Sequence, residues 1–218
     1  MAHFRDRADA AKVLVSLLPA IVDRDWVIAG LARGGIPIAA RIAEALGAPM
    51  EILIVRKVGV PGNAELALAA VTGPGPERMV VNETVRRFHR LSPDDVNRLS
   101  GPAVAEVSRR RKRWLGGAAE LDLHRRRVLI VDDGMATGTT ILAAIRVVRQ
   151  LGAAQIGVAV PVALGSALHG LPADIAPVLC PHPADAASSV GEAYESFPQV
   201  ADDEVPALIA KLKARAKS

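Results

Sequence analysis

Val128-Leu129-Ile130-Val131-Asp132-Asp133-Gly134-Met135-Ala136-Thr137-Gly138-Thr139-Thr140 joins three features in one stretch. A short apolar run, the mark of a strand buried on both faces, ends in two adjacent carboxylates. A Gly/Thr-rich turn follows, and then an apolar-periodic helix over about 141–151. Paired carboxylates at the end of a strand accept hydrogen bonds from two neighbouring hydroxyls. The turn's backbone N–H groups, the Thr hydroxyls and the helix dipole face an anion. A ligand carrying a diol and a phosphate a few atoms apart fits this pattern. A Walker loop is excluded, because Gly138 is followed by Thr139 rather than by Lys, and no GxGxxG opens a helix anywhere in the chain.

Working outward, regular alternation of strands and helices surrounds this stretch. An amphipathic helix over about 6–18 precedes a strand over 26–31, and Ala32-Arg33-Gly34-Gly35 leads into a helix over 36–46. Pro37 stands where a first helical turn tolerates it, and Gly47 where a helix stops. Further strands are expected over 51–55, 155–161 and 177–180, and a closing amphipathic helix over 204–214. Between them, residues 56–117 read as loops broken by Gly59, Pro61, Gly62 and Gly73-Pro74-Gly75-Pro76, with a hairpin from 66–71 and 79–81 and a long charged helix over 94–114. Residues 181–198 read as irregular. The fold class is therefore α/β, a doubly wound and mainly parallel sheet in a single domain over 1–218. Its core spans about 20–180, with an insertion at about 57–117 and a small hood at about 181–200.

The length of 218 residues suits one sizeable core. One cysteine, Cys180, cannot form an intramolecular disulfide and has no metal-type spacing around it, which points to a reducing compartment. Asp6, Asp9 and Lys12 interrupt what would be the core of a signal peptide, and no run is long enough to span a bilayer, so the chain is expected in the cytoplasm. The net charge is +4, with basic clusters at Arg86, Arg87 and Arg90, at 109–113 and at 125–127. These read as solvated helix faces or as attraction of an anionic small substrate. Two Trp, one Tyr and three Phe are too few for the stacking platforms of single-strand nucleic-acid readers, so nucleic acid is not an expected partner.

The stretch from Val128 to Thr140 resembles the phosphoribosyl-pyrophosphate (PRPP) signature of the type I phosphoribosyltransferases. The likeness extends over nearly the whole chain, to a group of stand-alone predicted phosphoribosyltransferases. It runs through Phe4-Arg5-Asp6-Arg7, the Ala32-Arg33-Gly34-Gly35 turn, Arg56-Lys57, Pro61-Gly62-Asn63 with Glu65, and the segment from Tyr194 to Val200. The resemblance implies that Asp132 and Asp133 hold the ribose 2- and 3-hydroxyls. Gly134, Met135, Ala136, Thr137, Gly138, Thr139 and Thr140 would cradle the 5-phosphate. Ala32, Arg33, Gly34 and Gly35, with Lys57, would bind pyrophosphate, and in the family the Ala32-Arg33 peptide is often cis. Mg²⁺ is the implied cofactor, held by Asp132 and Asp133 mostly through PRPP and water. A mobile loop starting near Gly59 would close over the donor, with Asn63 and Glu65 as its candidate polar groups.

On that reading Arg33, Lys57, Asp132, Asp133 and Glu65 carry the chemistry, with Glu65 or Glu192 as a base, although Glu65 also reads as solvated surface. Tyr194 and Phe197 in the hood either stack on a planar acceptor or pack the hood, and His182 reads as a turn residue. Ala136 stands where hypoxanthine-guanine enzymes place an aspartate acting on the base, so that acceptor class is not supported. The expected reaction is transfer of phosphoribose from PRPP to a nitrogen nucleophile with release of pyrophosphate, by a homodimer in nucleotide metabolism. The alternatives are a PRPP- or nucleotide-sensing regulator on the same fold and a PRPP phosphohydrolase.

Overall fold

The computed structural model describes residues 3–73, 78–116, 121–184 and 187–215, without the side chains of 64, 65 and 211–215. Its elements are α1 (Arg7–Ser16), β1 (Trp26–Leu31), α2 (Gly35–Leu46), β2 (Met50–Leu53), β3 (Arg56–Val60), β4 (Asn63–Val71), β5 (Met79–Val81), α3 (Glu83–Phe88) and α4 (Pro93–Leu115). There follow β6 (Arg127–Val131), α5 (Thr139–Gln150), β7 (Gln155–Ala159), β8 (Val162–Leu164), β9 (Val178–Leu179), β10 (His182–Ala184) and α6 (Glu204–Arg215).

The main sheet is parallel, in the order β2-β1-β6-β7-β9. Strand residues alternate between two apolar layers, as the two-residue period of a strand requires. Val27, Ala29 and Leu31 of β1 pack with Val128 and Ile130 of β6 against Ile141, Ala144, Ile145 and Val148 of α5. Trp26, Ile28, Leu129 and Val131 face the other way, onto Ala11 and Leu14 of α1 and Ile38 and Ile42 of α2. Helices thus cover both faces, and continuous apolar strands are the result. The strand order reverses between β1 and β6, where the crevice of a doubly wound sheet opens. The register sets Gly30 opposite Val131, so Ala32-Arg33-Gly34-Gly35 and Asp132-Asp133 leave the sheet side by side at the same edge.

The path from β2 to β6 differs from the expected loops. Residues 56–60 form a strand, and β3, β4 and β5 make an antiparallel sheet with register shifts beside Gly59. The turn-rich Pro61-Gly62 is its hairpin corner, with Gly62 at a φ of 81°. Val58, Ala69 and Val71 gain a buried face from Val107 and Trp114 of α4 and Val205 of α6. That tertiary burial, absent from local propensity, makes strands of a segment rich in breakers. The Gly73-Pro74-Gly75-Pro76 break lies partly outside the described residues. Helix α3, also missed, is capped by Asn82, whose Oδ1 accepts from the Val85 amide at 3.2 Å.

Helix α4 starts as expected after Ser92, through a capping box with Asp95. Ser92→Ala is expected to lower stability by about 1 kcal/mol, read as a drop of roughly 2–4 °C in a thermal melt. The basic clusters are largely ion-paired: Arg109 and Arg110 meet Glu106, Arg86 and Arg87 meet Glu83, and Arg127 meets Asp23 and Asp25.

The expected strand over 155–161 ends at Ala159, and β8 follows. The hood is less irregular than expected: β10 pairs in parallel with β8, and a short 3₁₀ helix spans Val190–Ala193. The N-terminal segment is part of it. The Phe4 amide donates to the Ala193 carbonyl at 2.9 Å, and the Glu195 and Ser196 amides donate to the Phe4 and Arg5 carbonyls, each at 2.9 Å. No helix among the described residues is long and apolar enough to cross a membrane.

Candidate functional site

Two helices begin at the crevice, and both lack a side-chain cap. Asp6, Asn82 and Ser92 cap α1, α3 and α4 through side-chain oxygens. By contrast α2 starts from Gly34 and α5 from Gly138, neither with a side-chain cap. The Ile36 amide donates to the Arg33 carbonyl at 3.2 Å, Pro37 has no N–H and the Thr139 amide reaches Thr137 Oγ1 at 3.5 Å. The amides of Gly35 and Thr140 are therefore the first-turn donors that can face an anion, which the helix dipole also favours. Gly138 has a φ of 74°, a left-handed conformation that glycine adopts without strain. Thr137 and Thr139 set their hydroxyls 2.8 Å apart beside it. Met135 is buried and anchors the turn: its amide donates to the Val162 carbonyl at 2.9 Å and its carbonyl accepts from the Leu164 amide at 2.8 Å. Gly134, Ala136 and Thr140 lie in the same segment, between β6 and the first turn of α5.

The other turn packs directly on the carboxylates. The Ala32-Arg33 peptide is cis. A Cβ on Gly34 would fall 1.9 Å from Asp133 Oδ2, and one on Gly35 would fall 2.3 Å from the Val131 carbonyl oxygen. Glycine is therefore required at both positions, because the backbone of one turn lies against the acidic pair of the other. Asp132 Oδ1 accepts from the Asp133 amide at 2.9 Å. Burial of the Asp132 carboxyl, and then the neighbouring Asp133 charge, push its pKa well above the usual carboxylate range, while Arg7 opposes the rise.

Asp133 carries a network that was not legible in the chain. Arg7 donates to its Oδ2 from Nε at 2.9 Å and from Nη2 at 2.7 Å, across 126 positions of sequence. Tyr194 donates its hydroxyl to the Asp133 carbonyl at 2.6 Å. Burial drives the Tyr194 pKa sharply upward, so the phenol stays a donor. Its ring is buried between Phe4 and Phe197, with centroids 5.5 and 4.6 Å away. In this geometry Tyr194 packs the hood, and the Phe197 ring lies 3.9 Å under the Arg7 guanidinium.

The other expected residues are placed as follows. Arg33 reaches Asp202, with Nη1 3.0 Å from Oδ1, and Arg113 meets the other oxygen of Asp202 at 3.3 Å. Lys57 projects from β3 into a cavity of about 170 Å³ lined also by Asn82, Thr139 and Arg146. It is thus brought beside the start of α5. Asn63 Oδ1 accepts from the Leu66 amide at 3.2 Å within the hairpin. The backbone of Glu65 lies in β4, and its side chain falls outside the described residues. Glu192 turns onto its own segment, accepting from the Ser188 amide at 3.2 Å and from the Ser189 hydroxyl at 3.4 Å. His182 opens β10 with its ring 3.3 Å from that of His3.

Arg7, Asp202 and Arg113 were missed because the only cue in the chain is a charged residue on a helix or beside one. Spatial adjacency to the acidic pair or to Arg33 has no local signal.

The family model for the phosphoribosyl transferase domain matches residues 10–174. Two curated proteins of Mycobacterium tuberculosis, from strains CDC 1551 and H37Rv and provisionally named phosphoribosyl transferases, are 35% identical over 209 residues. The match covers 96% of this chain and 47% of theirs, so the chain spans about half the length of those relatives. The crystal structure of TT1426 from Thermus thermophilus is 32% identical with a TM-score of 0.86, covering 97% of this chain and 99% of that one. A hypothetical protein from Neisseria gonorrhoeae, solved with bound ppGpp, shares the fold at a TM-score of 0.52 and 13% identity, with 99% of each chain covered. The parallel sheet with both glycine turns at its switch point, together with these matches, makes the chain a member of the type I phosphoribosyltransferase family of transferases.

Proposed function

We propose that the chain transfers the 5-phosphoribosyl group of PRPP to a nitrogen nucleophile, releasing pyrophosphate. The observation that carries this is the juxtaposition at the switch point. Asp132 and Asp133 end β6, the uncapped start of α5 lies on one side of them, and Gly34 of the uncapped α2 touches Asp133 Oδ2 on the other. A ribose whose 2- and 3-hydroxyls donate to the two carboxylates would direct its 5-phosphate toward Thr137, Gly138 and Thr139. Its pyrophosphate would lie toward the Arg33-Gly34-Gly35 turn.

In that pose the acidic pair orients the sugar and stabilises positive charge developing on its ring as the C1–O bond lengthens. The amides of Gly34 and Gly35 and the Arg33 guanidinium stabilise negative charge building on the leaving group. Lys57 adds charge beside the start of α5. The nucleophile attacks C1 as pyrophosphate departs with the bonding pair, and its proton passes to a base, for which Glu65 is a candidate from the β3–β4 hairpin.

Two adjacent hard-oxygen carboxylates, with no cluster of three or more metal-type ligands among the described residues, fit an ion held partly by substrate phosphates and water. Mg²⁺ would sit with Asp132 and Asp133 and supply charge neutralisation to the pyrophosphate.

A pyrophosphate-release screen with PRPP and Mg²⁺ over purines, pyrimidines and small amines tests this reading. Acceptor-dependent release is expected, and it should fall by about 10- to 100-fold in Asp133→Asn, the loss of a charged acceptor of hydrogen bonds. PRPP heat in calorimetry with no pyrophosphate from any acceptor would instead mark a binding-only protein, and acceptor-independent release a hydrolase.

A further inference from the structure

Arg7 touches the acidic pair and the hood at once, and every donor group of its fork is directed to one or the other. We infer that Arg7 is a positioning residue that ties the Asp133 carboxylate to the hood and so sets the affinity of the donor site. This inference rests on the reading of Asp132 and Asp133 as the ribose site.

The geometry is specific. Nε and Nη2 of Arg7 converge on a single oxygen, Oδ2 of Asp133, at 2.9 and 2.7 Å. Both Arg7 bonds fall on Oδ2, so the fork leaves Oδ1 clear of Arg7 and open to a sugar hydroxyl. Nη1 donates to the Pro198 carbonyl at 2.6 Å, and the guanidinium plane rests 3.9 Å from the Phe197 ring centre. The two side chains keep only 11% and 16% of their surface exposed, so the pair lies largely out of water and is weakly screened. An ammonium cannot reproduce a planar fork that meets a carboxylate, a carbonyl and a ring face together.

The hood is coupled to the same point by a second route, since Tyr194 holds the Asp133 carbonyl. Residues 3–5 are stitched to 193–196 by backbone hydrogen bonds, so the start of α1 and the hood form one unit around Asp133.

PRPP affinity by calorimetry, with inorganic pyrophosphate as a second probe that has no sugar hydroxyls, tests the inference on wild type, Arg7→Gln, Arg7→Lys and Arg5→Gln. Arg7→Gln is expected to weaken PRPP binding about 10- to 100-fold and to leave pyrophosphate binding unchanged. Arg7→Lys, which keeps the charge and guards against a misfolded Gln variant, is expected to bind PRPP about tenfold more weakly, having lost the fork. Arg5→Gln removes only an exposed side-chain pair with Asp9 and is expected to change neither readout.

Arg7→Gln with wild-type PRPP affinity, or with PRPP and pyrophosphate weakened alike, overturns the inference, as does Arg7→Lys with wild-type affinity. Absence of heat from wild type with PRPP overturns the donor reading instead. A double-mutant cycle of Arg7→Gln with Asp133→Asn in thermal melts then still decides whether Arg7 holds the Asp133 carboxylate.

Discussion

Gly34→Ala is expected to abolish measurable PRPP binding and to lower the melting temperature. The added Cβ would lie 1.9 Å from Asp133 Oδ2 and 2.3 Å from its Cγ. A flexible side chain could swing away, but this carboxylate is pinned by two hydrogen bonds from Arg7, and its own carbonyl by Tyr194. Relief therefore requires either the Arg33-Gly34 turn to back out of the crevice or the Asp133–Arg7 pair to break. Forced overpacking costs about 1–3 kcal/mol, and loss of charged hydrogen bonds about 1.5–3 kcal/mol more. Either movement also separates the Arg33-Gly34-Gly35 turn from the acidic pair, so on the proposed reading binding should suffer more than stability. Gly170→Ala is the control, since nothing lies within 4 Å of its added Cβ, and it should behave as wild type in both assays. A Gly34→Ala protein with wild-type melting and PRPP heat would show that the two turns do not depend on their close approach.

Asp132→Asn should do opposite things to stability and to binding. Burial, then the Asp133 charge, raise the Asp132 pKa well above 3.8 in the folded protein. The native state therefore holds this proton more tightly than the unfolded chain, and ionising the group costs folding free energy. That cost is absent below pH 3.8, grows as pH rises towards the folded value, and is fully present above it. An amide removes the cost while its oxygen can still accept from the Asp133 amide. The variant should accordingly melt above wild type at pH values where Asp132 is ionised, and the gain should vanish in acid. PRPP affinity should fall by about 10- to 100-fold, because a charged acceptor for a sugar hydroxyl is lost. Equal melting of variant and wild type at every pH would refute the raised pKa.

Reading the chain alone, the near-continuous apolar run at 51–55 already suggested a strand buried on both faces, as in a parallel sheet covered by helices. The acidic pair, the Gly/Thr turn and the Ala32-Arg33-Gly34-Gly35 turn were equally visible, because each is a local pattern whose chemistry depends on residues close in sequence. Helix starts at Ser92 and stops at Gly47 followed from capping and left-handed backbone preferences, which are also local.

What the chain could not reveal depends on non-local burial and on distance in space. Residues 56–60 became a strand because α4 and α6 cover the small sheet. Residues 182–184 did so because β8 offered an edge for them to pair with. Arg7 met Asp133 across 126 positions, and Asp202 met Arg33 across 169, only through the packing of α1 and the hood onto the crevice. Local chemistry therefore determined the fold class and the two glycine turns beside the acidic pair. Tertiary packing decided which charged groups hold those turns in place, since a buried ion pair is set by which surfaces come together rather than by its neighbours in the chain.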